Sequence, residues 1–399
     1  MNYLYQLIAS VCIGIISFGL SLFIARQIGA THFGQYSTAL AIGSILAIGL
    51  DGGMRNLIIR ERTRISEQHL VRLRNQLPHI AMGYSLLAAI LASIICAFAF
   101  SDQLYLGLGV IWCFWGSVIT QYASAILRGD GQLKTDSLWQ LKQRLLTATF
   151  IIVTVILGYF EVWQLLLTWG IGALCANLFF KEGFRFSPTF KPFLSLDFKL
   201  YRTLLPLLWI DLATTIYFRS DLIMLQSLKV TNIEIGQYAA AYRLIEAIIL
   251  VVSPISIIVF RKVRLLEVEK HLQRKYIIQS LMISMFIGII GVAGMQITAS
   301  TLVQLSYGEQ YVQSTALLTM LSWMIAFLVP NTVLTQTALA LNLEKAYALT
   351  ATFAAISNIG LNLIFIPEYG VIASAYSSIA TELIILIGLF TAIFKKIRV

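Results

Sequence analysis

Long apolar runs alternate with short polar connections along the whole chain. About 20 apolar residues suffice for a helix to cross the hydrocarbon core of a bilayer. Twelve stretches meet that need: 4–25, 35–53, 78–100, 104–127, 138–159, 162–180, 204–228, 235–260, 276–298, 314–339, 347–366 and 370–394. Pro367 and Gly370 predict a tight turn between the last two. The first run is too long for the apolar core of a signal peptide and lacks a basic leader, so it reads as a retained first helix. The pattern predicts an all-α, polytopic membrane protein of about twelve transmembrane helices.

Charge gives this pattern a direction. Of the 29 Lys and Arg residues, 23 fall in the connections after spans two, four, six, eight and ten or at the C-terminal end, and Lys142 and Arg144 lie just inside the start of span five, beside the fourth connection. The connections after spans three, five, nine and eleven carry only the acidic residues Asp102, Glu161, Glu309 and Glu368. Cationic segments stay on the cytoplasmic side, so both termini and all even-numbered connections are expected in the cytoplasm of a bacterial inner (plasma) membrane. Composition agrees: 58% of residues are hydrophobic and 12% charged, about half the charged fraction of a soluble domain. A net charge of +10 would suggest nucleic acid in a soluble protein. Here the cations sit between apolar runs and report topology, and no nucleic acid is expected. Cys12, Cys96, Cys113 and Cys175 all lie in apolar runs, so no disulfide framework is expected.

The chain also echoes itself. Gly34-Gln35-Tyr36 opens span two and Gly236-Gln237-Tyr238 opens span eight. A weaker echo pairs residues 131–134 with 342–345, after spans four and ten. Six helices followed by six in the same orientation predict parallel repeats: two pseudo-symmetric six-helix lobes around a central cavity. The lobes would be 1–180 and 204–399, joined by a cytoplasmic linker over 181–203 that contains Pro188 and Pro192 among aromatic and basic residues. Such a linker fits the headgroup layer or an ordinary connection equally well.

Candidate chemistry is sparse. No P-loop is present, and His32, His69, His79 and His271 are scattered without metal-ligand spacing, so neither an enzyme nor a cofactor is expected. The informative residues are charges inside or beside spans, where burial is costly and usually faces a protein interior or a watery cavity. Arg26 ends span one, and Lys229 fits a snorkelling rim residue. Arg243 and Glu246, three residues apart, form either a self-neutralising pair or part of a cavity. Asp51 and Arg55, four apart, offer the same two readings, although Gly52-Gly53 between them disturbs helical geometry. On a helix Asp221 points about 200° away from Arg219, and Asp211 lies about 80° away but roughly 12 Å along the axis. Arg219 is therefore a candidate for an anion in a cavity or for a salt bridge to another helix. Pro206, Pro254 and Pro330 fall inside spans and can kink them. Asn358 and Asn362 suit interhelical hydrogen bonds.

Three patches resemble a known family. An arginine ends helix one (Arg26), a glycine-rich turn follows (Gly29, Gly34, Tyr36), and Asp51-Gly52 precedes a basic segment. The second half answers with Arg219, Asp221, Gly236, Tyr238, Ala241 and Arg243, and the end with Asn358, Asn362, Pro367, Tyr369 and Gly370. Together these resemble the polysaccharide-transport, or Wzx-type oligosaccharide flippase, family of the multidrug/oligosaccharidyl-lipid/polysaccharide exporter superfamily. The resemblance implies movement of an undecaprenyl-diphosphate-linked sugar to the outer leaflet for O-antigen, capsule or exopolysaccharide assembly. It also implies as partners membrane lipids and a polysaccharide polymerase with its chain-length machinery. Under that reading Arg26, Arg219, Arg243, Asp211, Asp221, Glu246, Asp51 and Arg55 are the cavity candidates. Coupling to a proton or sodium gradient would run through a membrane carboxylate such as Asp211 or Glu246. The alternative is a drug:cation antiporter of the multidrug and toxin extrusion type, which would lean on uncompensated carboxylates. A membrane-embedded glycosyltransferase would need a large outer loop, and the expected outer loops are short.

Overall fold

The computed structural model describes residues 2–63, 68–183 and 198–398. Among these, thirteen α-helices and no strand occur. They are α1 (Asn2–Asp51), α2 (Met54–Thr63), α3 (Gln68–Ala99), α4 (Leu104–Gly129), α5 (Leu133–Ile156), α6 (Val162–Phe179) and α7 (Phe198–Ser227). Then follow α8 (Asn232–Leu265), α9 (Lys270–Tyr307), α10 (Val312–Leu321), α11 (Trp323–Ala340), α12 (Glu344–Tyr369) and α13 (Val371–Arg398). Only helices satisfy every backbone group within one segment, which a bilayer core demands. Eight of the helices are long and apolar enough by length and composition to cross a membrane. The helices α5, α7 and α8, at 24, 30 and 34 residues, are also long enough, although they carry internal charges. Large apolar side chains such as Phe98, Ile156, Phe286 and Ile297 stay exposed, as lipid-facing residues should. The protein is a multi-pass membrane protein.

Several element boundaries differ from those the sequence predicts. Spans one and two both lie in α1, which is two helices meeting at a kink, and its apolar stretch Ile8–Asp51 covers 44 residues, about twice a single crossing. Only Gly29 leaves helical geometry there, at φ 75° and ψ 171°, a conformation open to glycine. The basic connection after span two contains a helix of its own, α2, which buries Leu57 and Ile58. Span ten is divided at Ser322 into α10 and α11. Pro367 lies within the last turn of α12, and the turn itself is made by Gly370 at φ 55°. Most of the expected linker, residues 184–197, lies outside the described residues, and α7 begins at Phe198.

Two compact units emerge from packing: 1–28 with 35–219, and 29–34 with 220–399. In the first, α4 packs against α3, α6 and α2, and α5 packs against α6. Helices α4 and α6 meet backbone to backbone: a Cβ on Gly116 would come within 2.8 Å of the Gly170 carbonyl oxygen. Small residues at such crossings let membrane helices approach closely. Around them Trp115, Tyr122, Trp139, Ile119 and Leu57 form the core. In the second unit α11 packs against α9, α13 and α8, and α12 packs against α13. The neighbour relations of α3, α4, α5 and α6 thus recur in α9, α11, α12 and α13, which is the pseudo-symmetry the sequence echo predicts.

Candidate functional site

The first unit encloses a cavity of about 680 Å³. Its walls come from α1, α2, α4, α5, α6 and α7 and mix arginines (Arg55, Arg128, Arg144), amides (Gln121, Gln140, Gln143) and an indole (Trp169). The carboxylates Asp51 and Asp211 also line it.

Each arginine is set by its own local chemistry. The two left-handed glycines Gly52 and Gly53 end α1 and start α2 afresh. Asp51 then accepts a hydrogen bond from the Arg55 backbone N–H at 3.1 Å, so it caps the first turn of α2. The Arg55 guanidinium turns elsewhere, donating to Gln121 at 2.7 Å and to Asp211 at 3.1 Å. Asn56 donates to the same Asp211 oxygen at 3.3 Å. The direct side-chain pairing of Asp51 with Arg55 is thereby replaced: capping takes the carboxylate, and the guanidinium bridges α2 to α4 and α7.

Arg128 and Asp136 form the second arrangement. Asp136 is wholly buried and accepts from Arg128 Nε at 2.8 Å, from Gln140 Nε2 at 2.8 Å and from the Ser124 hydroxyl. Three donors from α4 and α5 satisfy a carboxylate that would otherwise be costly to bury. The Arg128 side chain itself is 45% exposed and lines the cavity. Arg144 donates from Nε to Ser17 at 2.8 Å and lies over the Trp169 ring at 4.8 Å.

The sequence-based candidates therefore divide. Asp51, Arg55 and Asp211 come together in this cavity. Arg26, exposed on α1, and Arg219, half-buried on α7, belong to the same unit but do not line it. In the second unit Arg243 and Glu246 pair with each other at 2.7 Å. Asp221 sits half-buried in a network, accepting from Tyr238 at 3.0 Å, Ser378 at 2.8 Å and Asn362 at 2.9 Å. Asn362 also donates to Asn358, and Asn358 to Thr381, so both asparagines bond between helices as expected.

Arg128, Asp136, Gln140, Gln143, Arg144 and Trp169 were missed. Arg128 and Arg144 count as connection cations when only their distance from an apolar run is considered. The available signal was the spacing of Asp136, Gln140, Gln143 and Arg144, which repeats at four, three and one along a helix and marks one polar face.

Comparison with known proteins fits this geometry. The family described as "Polysaccharide biosynthesis protein" matches residues 1–260. No curated protein matches the chain significantly in sequence. Among solved structures, the lipid II flippase MurJ in an inward closed conformation superposes with a TM-score of 0.75. It is 15% identical, over 98% of this chain and 86% of that one. An inward-facing multidrug resistance MATE family transporter of the MOP superfamily gives a TM-score of 0.68 at 14% identity, over 100% of this chain and 95% of that one. A MOP superfamily transporter from Pyrococcus furiosus gives 0.52 at 12% identity, over 98% and 95%. These likenesses establish the fold.

Proposed function

Because the chain belongs to the polysaccharide biosynthesis protein family, we propose that it is a flippase for polyprenyl-diphosphate-linked oligosaccharides. Its cargo would pass from the cytoplasmic to the outer leaflet of a bacterial inner membrane, for O-antigen, capsule or exopolysaccharide assembly. The observation that carries this reading is the lining of the first-unit cavity: three arginines, three glutamines and Trp169.

Such a lipid has three unlike parts. Its tail is at home in the bilayer, whereas the diphosphate and sugars lose their hydration on crossing, at a cost of several kcal/mol per polar group. Arginine suits a diphosphate because its planar fork binds phosphate oxygens in pairs. Arg128, held through Nε by Asp136, lines the cavity with a side chain that is 45% exposed. Glutamine amides donate to and accept from sugar hydroxyls, and Trp169 beside them offers a flat apolar surface. The cavity is of the size of a small-molecule site, roughly 300–1,000 Å³, suiting a headgroup rather than a whole glycan. Exchange of access between the two sides of the membrane would move that headgroup. The cationic side chains disfavour a drug-cation cargo.

The test is deletion of the gene followed by analysis of lipid-linked sugars. Accumulation of a diphosphate-linked repeat unit on the cytoplasmic leaflet is expected. Unchanged glycan export with altered sensitivity to cationic drugs would overturn the reading.

A further inference from the structure

A cluster of cations lies in the second unit, outside the cavity lining. Val259 and Val263 of α8, Ile277 of α9 and Ile393 of α13 share one buried core. The buried Gln273 of α9 donates from Nε2 to the Val263 carbonyl at 2.8 Å. These contacts hold the ends of three helices together. Beside them in sequence stand six exposed cations: Arg261, Lys262, Arg274, Lys275, Lys395 and Lys396. Each is the first or second residue outside an apolar run (235–260, 276–298 or 370–394), so each begins within about 3 Å of that run's edge along the helix axis.

The company these cations keep sets them apart. In the first unit Arg60, Arg62, Arg128 and Lys142 pair with Glu61, Asp130, Asp136 and Glu182. Among the described residues, none of the six meets a carboxylate or another side-chain partner. Arg264, between them, is already committed to Asn342 at 2.6 Å. The two acids of the α8–α9 hairpin, Glu267 and Glu269, lie past Leu265, the last residue of α8. Leu265 is itself about 8 Å beyond Phe260, the edge of the apolar run. The headgroup layer is only roughly 5–7 Å deep on each side of a bilayer. On these three helices the phosphate level therefore receives cations alone, and the acids are set beyond it. The start of α12, whose Leu343 packs on the same core, adds Glu344 and Lys345 and so no net charge.

Apolar side chains flank the cations. Ile258 and Leu265 stand three residues before and four after Arg261, on one face of α8, and are 63% and 66% exposed. On α9 the exposed Met282 lies two turns from Lys275 on the same face. We propose that this cluster is a defined binding site for an anionic phospholipid of the expected cytoplasmic leaflet. The phosphate sits among the cations, and the acyl chains lie along Ile258 and Met282. A basic cluster directly beside membrane helices attracts anionic headgroups by about fivefold per cation. A soluble acidic partner would instead meet the hairpin tip first, where Glu267 and Glu269 repel it. The site does not depend on the identity of the transported cargo.

The test is native mass spectrometry of the full-length protein in a neutral detergent, with phosphatidylglycerol or phosphatidylcholine added. Phosphatidylglycerol should be retained at least tenfold more strongly. Arg261→Gln combined with Lys275→Gln should lower that retention by about tenfold or more. Lys229→Gln combined with Lys270→Gln removes the same charge from elsewhere and should leave it unchanged, both double variants eluting as monodisperse protein. Equal retention of the two lipids by the wild type overturns the site, whatever the variants do. Retention that survives in Arg261→Gln with Lys275→Gln, or that falls equally in both double variants, also overturns it. Displacement of the lipid by inorganic phosphate or by a poly-glutamate peptide at equal concentration would assign the cluster to a soluble anion or an acidic protein and overturn the lipid assignment.

Discussion

Gly34 and Gly236, the two glycines of the repeated Gly-Gln-Tyr triplet, pack against each other. A Cβ on Gly34 would overlap the Asn232 carbonyl oxygen, and one on Gly236 would overlap that of Ala30. The rest of the second triplet is equally committed. Gln237 accepts from the Ser314 backbone N–H at 2.9 Å and donates to the Gln310 carbonyl at 2.8 Å, bracing the start of α10, and Tyr238 donates to Asp221. Gly34→Ala and Gly236→Ala should each force the backbones apart and cost about 1–3 kcal/mol, read as a lower thermal unfolding temperature in detergent. Gly49, with open space around it, is the control and should tolerate alanine.

Asp136 is expected to act through Arg128. Asp136→Ala leaves the Arg128 guanidinium without its buried anchor and should destabilise the protein by about 3–5 kcal/mol. Asp136→Asn keeps the shape and some of the hydrogen bonds. It should cost less, about 1.5–3 kcal/mol, while loosening Arg128. Titration with inorganic pyrophosphate should show weaker binding in Asp136→Asn than in wild type. Equal binding would mean that Asp136 serves stability alone.

Arg55 bridges Gln121 and Asp211 at a partly exposed position. A double-mutant cycle between Arg55→Ala and Asp211→Ala should return a coupling of only about 0.2–1 kcal/mol in stability. Transport should suffer far more from Arg55→Ala than from Asp211→Ala, since only the first removes a phosphate partner. Parallel losses in the two variants would assign Arg55 a structural role.

Lys142 of α5 and Glu182, just past the end of α6, make an ion pair at 2.7 Å. The hydrogen bond from Lys142 holds the Glu182 carboxyl below its ordinary value of 4.5. A depressed carboxyl contributes stability above that ordinary value, and the contribution fades as pH falls through the lowered value in the folded protein. Glu182→Gln should cost about 0.2–1 kcal/mol at neutral pH and flatten the acid side of the curve of unfolding temperature against pH. An unchanged acid slope would contradict this.

Hydropathy made most of the helices legible, because a bilayer requires long apolar segments and punishes exceptions. The glycine echo was legible too, but its physical reason was not: the triplets are placed where two backbones touch, a fact of three dimensions. Spans one and two were legible as separate helices, but hydropathy does not show that the joint between them is a single residue, Gly29, at φ 75° and ψ 171°. The cavity was half legible. Charges inside apolar runs drew attention to Asp51 and Asp211, while Arg128 and Arg144 passed as topological cations. Arg128 lies one residue past the edge of its run, where α4 continues to Gly129, and Arg144 lies inside span five and was grouped with the connection only because it is near the edge.

Translocation in proteoliposomes tests the central claim most directly. Purified protein is reconstituted with a fluorescent polyprenyl-diphosphate oligosaccharide, and loss of outer-leaflet signal to a membrane-impermeant quencher is followed over time. Wild type should equilibrate the lipid between leaflets, and Arg128→Lys with Arg144→Lys, which keep a cation beside Asp136 but lose the planar fork, should slow it by about tenfold or more, the equivalent of about 1.4 kcal/mol or more, without loss of folded protein. Protein-independent movement of the lipid, or a double variant as fast as wild type, would contradict the account.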